Sequence, residues 1–268
     1  MITYNHERYI VEAIEGVLMQ KTDFKIKLFI TDDKSPDSTV NICQKYADKY
    51  PDIIDFESFS KNKGSMNNWI YNLKKCLNSN ADYIAICEGD DYWTDPLKLQ
   101  KQFEILSKNK EFNVSVGRFK KLYQTSNKLV SPKERVDPVK KQVYDLGDYL
   151  KKYFSQTSTF MIRATAVIFP DWLSKVSAGD QSLIAVSSYK SKIHYNPDYF
   201  SVYRVHEEGV SRNINLVFNT DSYLFFLDKV NEFSKNKYNK IILLRKLKLK
   251  MYKIIVSTAI YKFSTKHI

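Results

Sequence analysis

The stretch ADYIAICEGDDYW, residues 81–93, runs from an apolar segment into three carboxylates, Glu88, Asp90 and Asp91, and then into Tyr92 and Trp93. Its reading decides the fold. Tyr83–Ile86 has the short apolar character of a buried strand, and Asp95-Pro96 closes the segment. Three negative charges within four residues repel one another, so they need either water or a positive partner. On an extended chain alternate side chains share a face, which puts Glu88 and Asp90 together and Asp91 on the other side. A bend at Gly89 would gather all three at one rim. Carboxylates at a strand end suit a hard divalent cation such as Mg²⁺ or Mn²⁺. The alternative is a solvated acidic turn in which Asp95 caps the next helix.

Outward from this stretch, strands and helices alternate over residues 1–110. Helical spacing is seen over 6–20, 40–50, 66–80 and 95–109, the last with Asp95 as N-cap and Pro96 at the first helical position. Apolar strands are expected over 26–30, 53–59 and 82–88. This rhythm predicts an α/β fold with a Rossmann-like, mainly parallel central sheet flanked by helices. Ligands of such sheets bind beyond the carboxyl ends of the strands. The informative turns are therefore Thr3-Tyr4-Asn5, Asp32–Ser35, Asn62–Ser65 and Glu88–Asp91. Only Met1 and Ile2 precede the first of them, a short strand expected to weaken the sheet. The second half is less regular. It shows strand character over 112–123 and around 160–162, a Lys/Ser/Pro-rich loop over 125–142, helices over 144–154 and after Gly179, and an extended segment ending near His206.

With 268 residues, 43% hydrophobic and 14% aromatic, the chain is long and apolar enough for a large core. Three cysteines without CxxC pairing read as reduced thiols and exclude a zinc-ribbon type of site. The N-terminal residues lack a signal-peptide pattern, and no run of eighteen apolar residues indicates a spanning helix. The net charge of +12 points toward nucleic acid only until it is located. Residues 235–268 carry ten Lys or Arg and no acid, leaving about +2 for residues 1–234. No basic–aromatic stacking pattern accompanies the near-neutral part, so no nucleic-acid partner is expected.

Taken singly, Asp32 and Asp33 are ordinary turn residues, His206 an ordinary surface or packed histidine, and Asp180 a helix cap. Taken in order, TYNHERYI, FITDDKSPDST, NKGSMNNW, ADYIAICEGDDYW, AGDQSL and SVYRVHEEGVS resemble the family 2 glycosyltransferases of GT-A fold, over residues 1 to about 215. The likeness is to bacterial enzymes that build capsules, O-antigens and related surface glycans. It implies a nucleotide-sugar donor, UDP-linked, an Mn²⁺ or Mg²⁺ ion, a glycan or lipid-linked acceptor, and inversion at the transferred carbon. It implies that Thr3, Tyr4 and Asn5 line the nucleotide base, that Asp33 bonds the base beside Asp32, and that Lys63 and Gly64 face the nucleotide sugar. Asp90 would face the ribose or donor sugar and Asp91 would bind the metal. His206 would close the metal and diphosphate site, and Asp180 would be the catalytic base. Glu88 stands where Asp is more usual, and Gln181 stands where some relatives carry an aromatic residue. No QxxRW-like motif of processive synthases is present, which points to addition of one sugar at a time. Two other readings use the same residues: a catalytically inactive GT-A-like scaffold, and a nucleotidyltransferase, disfavoured because no Gly-rich triphosphate loop is present.

Residues 1–234 are expected to form the catalytic domain and 235–268 a basic amphipathic helical tail. In the tail, Ile241, Leu244, Lys248 and Tyr252, and Leu243, Leu247, Lys250 and Ile254, recur at helical spacing. Such a helix can lie on an anionic membrane surface, which would place the protein in the cytoplasm as a peripheral protein on the inner face of the membrane. The alternative is packing against the catalytic domain or a partner subunit.

Overall fold

The structure is a computed structural model. It describes residues 1–207, Gly209 and residues 216–264, the side chains of 216–219 and 255–264 excepted. Glu208, Val210 and Ser211 of the SVYRVHEEGVS motif and residues 265–268 of the tail lie outside the described residues. In chain order the elements are β1 (Ile2–Thr3), α1 (Ile10–Leu18), β2 (Leu28–Asp32), α2 (Thr39–Lys49), β3 (Ile54–Ser58), α3 (Ser65–Asn78), β4 (Tyr83–Ala85), β5 (Tyr92–Trp93) and α4 (Lys98–Lys108). They continue with β6 (Phe112–Tyr123), β7 (Lys128–Val130), β8 (Val143–Tyr144), α5 (Leu146–Lys151), β9 (Met161–Arg163), α6 (Gly179–Ser188), β10 (Lys192–Val205), α7 (Leu216–Phe233) and α8 (Asn239–Ser264).

The expected α/β alternation is present, and the first three strands form a parallel sheet in the order β1-β2-β3. β2 is buried on both faces along its whole length, as a strand covered by helices must be. α1 buries Ile10, Ala13, Ile14 and Val17, the i, i+3, i+4, i+7 stripe of a helix packed on a sheet. The remaining strands form a mixed sheet with β4-β9-β6-β10-β5 as its path. In it β6 and β10 run parallel over a long register, while β9 and β5 pair antiparallel. The parallel character thus belongs to the first half and to the β6–β10 pair. α4 starts later than expected: its N-cap is Leu97 rather than Asp95, and Asp95 instead closes the turn before it, its Oδ1 accepting from Leu97 N at 2.8 Å.

The two sheets meet at the acidic turn. Gly89 N donates to Ile2 O at 2.9 Å, so the extension of β4 runs beside β1. A Cβ at Gly89 would stand 2.9 Å from His6 Nδ1 and 3.0 Å from Thr3 Cβ. Glycine is therefore required where the two strand ends converge. β1 is as short as expected. Its residues are nonetheless anchored: Met1 N bonds Phe29 O at 2.7 Å, and the buried Asn72 amide reaches Met1 O at 3.2 Å.

The expected boundary at residue 234 runs through continuous packing. Tyr238 and Ile242 are buried in the same cluster as Tyr149, Leu150, Phe226, Leu227 and Val230. Arg245 donates to Leu150 O, and Lys246 pairs with Asp228 at 2.5 Å. The tail is thus a helix whose first half folds back on the rest of the chain. Among the described residues no helix is long and apolar enough to cross a membrane. Cys43, Cys76 and Cys87 are free thiols.

Candidate active site

The strand-end turns open on a cleft of about 900 Å³, within the size range of small-molecule sites. One wall is built by residues 1–91 and the other by α6, α7, α8 and the segment around Tyr153.

On the first wall, Thr3 is buried and its carbonyl accepts from Asp33 N at 3.0 Å. Tyr4 stands 47% exposed at the mouth. Asn5 turns the chain through the left-handed region at φ 59°, and its N donates to Ser35 Oγ at 2.9 Å. Asp33 lines the cleft, with Oδ1 accepting from Lys63 N at 2.7 Å, and Gly64, at φ 84°, turns the chain alongside. Two residues expected at the donor lie elsewhere. Asp32 is fully buried, and its carboxylate takes Ser35 N at 2.9 Å, Ser35 Oγ, and Ser58 Oγ at 2.9 Å. It fastens the turn rather than facing the cleft. The Lys63 ammonium sits 3.4 Å from the Phe59 ring centroid and 5.0 Å from that of Tyr71, so its backbone, not its charge, serves Asp33.

The chain turns at Gly89, with Asp91 N donating to Glu88 O at 3.2 Å, and the bend brings Glu88, Asp90 and Asp91 to one rim of the cleft, as expected. Asp91 is buried. Its Oδ1 accepts from Arg204 N at 2.9 Å, and burial together with the charges of Asp90 and Glu88 raises its pKa well above the usual carboxylate range. Asp90 faces the imidazoles, with Oδ2 at 3.1 Å from His206 Nε2 and 3.8 Å from His6 Nε2. Burial works against its charge, but the His206 hydrogen bond and the two histidines outweigh burial and hold its pKa below the usual value. Glu88 is pushed up to about 8 by burial and then by the charges of Asp90 and Asp180. Its buried Oε2 has no hydrogen-bond partner among the described residues, nor has His206 Nδ1.

Arg204 holds this turn in place. Its side chain is 2% exposed, donates to Asp90 O at 2.8 Å, pairs with Glu12, and lies 4.6 Å from the Tyr92 ring centroid. Burial lowers its pKa to about 10, so it remains cationic at neutral pH.

In the same cleft, Asp180 sits in the first turn of α6. Tyr153 Oη donates to its Oδ2 at 2.5 Å. Burial raises the Asp180 pKa, and the Tyr153 hydrogen bond acts against that rise. Beside it, Tyr223 Oη donates to Gln181 Oε1 at 2.7 Å and accepts from Arg245 Nη2 at 2.7 Å, which ties α8 to the residue next to Asp180.

The cleft therefore joins Thr3, Tyr4, Asp33, Gly64, Asp90, Asp91 and Asp180, with His206 against Asp90. Sequence reading missed His6, Arg204, Tyr153 and Arg245. His6 is two residues past Tyr4 in an already flagged turn, and Arg204 is two before His206 on β10, so both carried a positional signal. Tyr153 and Arg245 carried none.

A divalent cation fits this centre. Ionised Asp90 and the imidazole of His206 offer an oxygen and a nitrogen donor 3.1 Å apart, and the orphaned Oε2 of Glu88 lies in the same cleft. Among the described residues no group of three or more His, Cys, Asp or Glu is placed to hold a metal ion. A cation here would rest on Asp90 and His206 and take its remaining ligands from phosphate oxygens and water.

Similarity to known proteins agrees with this architecture. An uncharacterised protein of Mycobacterium tuberculosis, Rv1520, is 32% identical over 211 residues, covering 78% of this chain and 58% of the relative, so the chain spans little more than half its length. The dTDP-rhamnosyl transferase RfbG of Shigella flexneri is 39% identical over 94 residues, 35% of this chain and 32% of the relative. Among solved structures, S. aureus TarS 1–349 in complex with UDP aligns over 92% of this chain and 69% of that one, with TM-score 0.67 and 18% identity. The mannosyltransferase PcManGT of Pyrobaculum calidifontis, in complex with GDP-Man and Mn²⁺, covers 96% of this chain and 73% of that one, with TM-score 0.61 and 14% identity. Both share the GT-A fold. The family model described as glycosyl transferase family 2 matches residues 1–175, and with the strand-end turns, the acidic turn and Asp180 assembled around one cleft, the chain belongs to glycosyl transferase family 2.

Proposed function

We propose that the chain transfers one sugar, with inversion, from a UDP sugar to a hydroxyl of a glycan or lipid-linked acceptor in bacterial surface polysaccharide synthesis. The observation that carries this reading is the meeting of two acidic groups in one cleft: Asp90 against His206, and buried Asp180 held by Tyr153. In-line displacement needs a group that stabilises the leaving diphosphate and, opposite it, a base for the attacking hydroxyl. Asp33 and Tyr4 would receive the nucleotide base. Asp90, rather than the buried Asp91, would hold Mn²⁺ or Mg²⁺ together with His206. That ion, when bound, supplies Lewis-acid stabilisation of charge on the diphosphate. Asp180, its pKa raised toward neutrality by burial, would accept the hydroxyl proton, with Tyr153 holding the carboxylate in place. The UDP bound to TarS and the Mn²⁺ bound to PcManGT support the donor and metal assignments by fold likeness.

The outward face of α8 supports a peripheral site on the inner face of the cytoplasmic membrane. Leu243, Leu244, Leu247, Met251 and Ile254 are each at least half exposed, exposed Lys240, Lys248 and Lys250 flank them, and α8 contains no acid. An apolar stripe edged by lysines matches an anionic bilayer. Because Tyr238 and Ile242 belong to the core, the test is Leu247→Glu with Met251→Glu rather than deletion of the helix. Sedimentation with phosphatidylglycerol vesicles should fall in the double variant; unchanged sedimentation removes the membrane assignment.

The activity is tested by screening nucleotide sugars for Mn²⁺-dependent binding and hydrolysis. UDP binding that needs the metal and is lost in Asp90→Asn supports the reading. Metal-independent binding unchanged in that variant overturns it, and pyrophosphate release from a nucleoside triphosphate would replace it with a nucleotidyltransferase.

A further inference from the structure

We propose that the Asp180 side of the cleft contains a phosphoryl-binding subsite formed by Arg135 and Arg245, so that the acceptor carries a phosphate close to the hydroxyl it presents. This rests on the transferase reading above and adds the chemical class of the acceptor.

Both arginines line the cleft together with Asp180, Tyr153 and Tyr223. They come from segments 110 residues apart, the loop after β7 and helix α8, yet they converge on one place. Arg135 Nη1 donates to Tyr153 O at 3.0 Å, Arg245 Nη2 to Tyr223 Oη at 2.7 Å, and the charges of Arg245, Asp180 and Arg135 all reach Tyr223. Among the described residues the arginines that form ion pairs are Arg118, with Glu134, and Arg204, with Glu12. Among the described residues Arg135 and Arg245 hydrogen-bond neutral oxygens alone, and they lie 5.9 Å from the Tyr153 and 5.4 Å from the Tyr223 ring centroid. Two guanidiniums that line the cleft and form no ion pair among the described residues are arranged for an anion. On the transferase reading the donor diphosphate would be held at Asp90 and His206, which bond neither arginine among the described residues. Each guanidinium has five N–H donors, of which bonds among the described residues use one on Arg135 and two on Arg245, leaving about seven. That number suits the several oxygens of a phosphoryl group better than the two of a carboxylate. Leu249 and Tyr252 continue the same wall toward the outer face of α8, giving an apolar path beside the phosphate.

The test uses the full chain with saturating UDP and Mn²⁺, so that the donor place is filled. Three probes are titrated by calorimetry: geranyl diphosphate, glycerol 1-phosphate and glucuronate. Both phosphate probes should bind, and Arg135→Ala and Arg245→Gln should each weaken them about tenfold while leaving UDP affinity unchanged. Tighter binding of geranyl diphosphate identifies a lipid-linked acceptor, and equal binding identifies a polyol-phosphate type; either supports the subsite. Glucuronate binding as tightly as phosphate, or phosphate binding unaffected in Arg135→Ala, overturns it. Arg135 is exposed with one backbone contact, so its variant decides the matter even where Arg245→Gln disturbs folding. If UDP does not bind the wild-type chain, the donor reading fails, and the same titration without metal still tests the arginines.

Discussion

The wall built by residues 1–91 and the wall built by residues 135–252 face the same cleft but are made differently. On the first, each polar group comes from a turn that ends a strand, and backbone bonds hold it there: Thr3 O to Asp33 N, Lys63 N to Asp33 Oδ1, Ile2 O to Gly89 N. On the second, the groups come from three helices and a loop, and side chains hold one another: Tyr153 on Asp180, Tyr223 on Gln181, Arg245 on Tyr223. A wall made of strand ends depends on local sequence and sheet register. A wall made of helix faces depends on how distant segments pack, so it can vary while the first stays constant.

The largest effects should separate the two walls by function. Asp90→Asn should abolish metal-dependent UDP binding and with it turnover. Asp180→Asn should keep UDP affinity and lose turnover by about 10²–10⁴-fold, the range of a general base; calorimetry beside a transfer assay reads both. UDP binding lost equally in both variants would erase the distinction.

Next comes Tyr153→Phe. Its hydroxyl opposes the rise of the Asp180 pKa, so its loss should move the acidic limb of the pH–rate profile upward and cost about tenfold in kcat/KM below that limb. A profile unchanged in position would show that the hydroxyl does not act on Asp180.

Smaller effects belong to the framework of the first wall. Asp32→Ala strands Ser35 N and two hydroxyls and should cost about 1–3 kcal/mol, a Tm drop of several degrees, with UDP affinity of the folded protein intact. A specific loss of UDP affinity would return Asp32 to the donor site.

The smallest effect concerns Glu88. Its folded pKa of about 8 exceeds the ordinary value of 4.5, so the folded state binds more protons between these values and stability falls as pH rises through that window. In metal-free protein, Glu88→Gln should therefore raise Tm by a few degrees at pH 8 and by almost nothing near pH 4. A Tm difference independent of pH would show that Glu88 is not protonated in the fold.

The contrast also explains what could be read in advance. Strand-end turns carry their own signals, acids and glycines after apolar runs, so Thr3, Tyr4, Asp33, Gly64, Asp90 and Asp180 were found one-dimensionally and do line the cleft. The same local signal could not say which way a side chain points. Asp32 and Lys63 looked equivalent to their neighbours, yet one closes a buried turn and the other lies on aromatic rings. Asp91 lines the cleft as the family likeness implied, while its Oδ1 is bonded by Arg204 N, a contact that no local signal announced. The tail shows the same limit: helical spacing identified α8, but not that Tyr238 and Ile242 enter the core while the opposite face stays exposed.

By itself the sequence determined the α/β alternation, the positions of the strand-end turns, the family and the presence of a basic C-terminal helix. Each is written in short-range spacing, because strand and helix periodicity and turn chemistry act over a few residues. Tertiary structure alone decided that Asp90 meets His206 and His6, that Arg204 secures the acidic turn, and that Tyr153, Arg135 and Arg245 gather beside Asp180. Those contacts join residues far apart along the chain, and only the packing of helices against the two sheets brings them within reach.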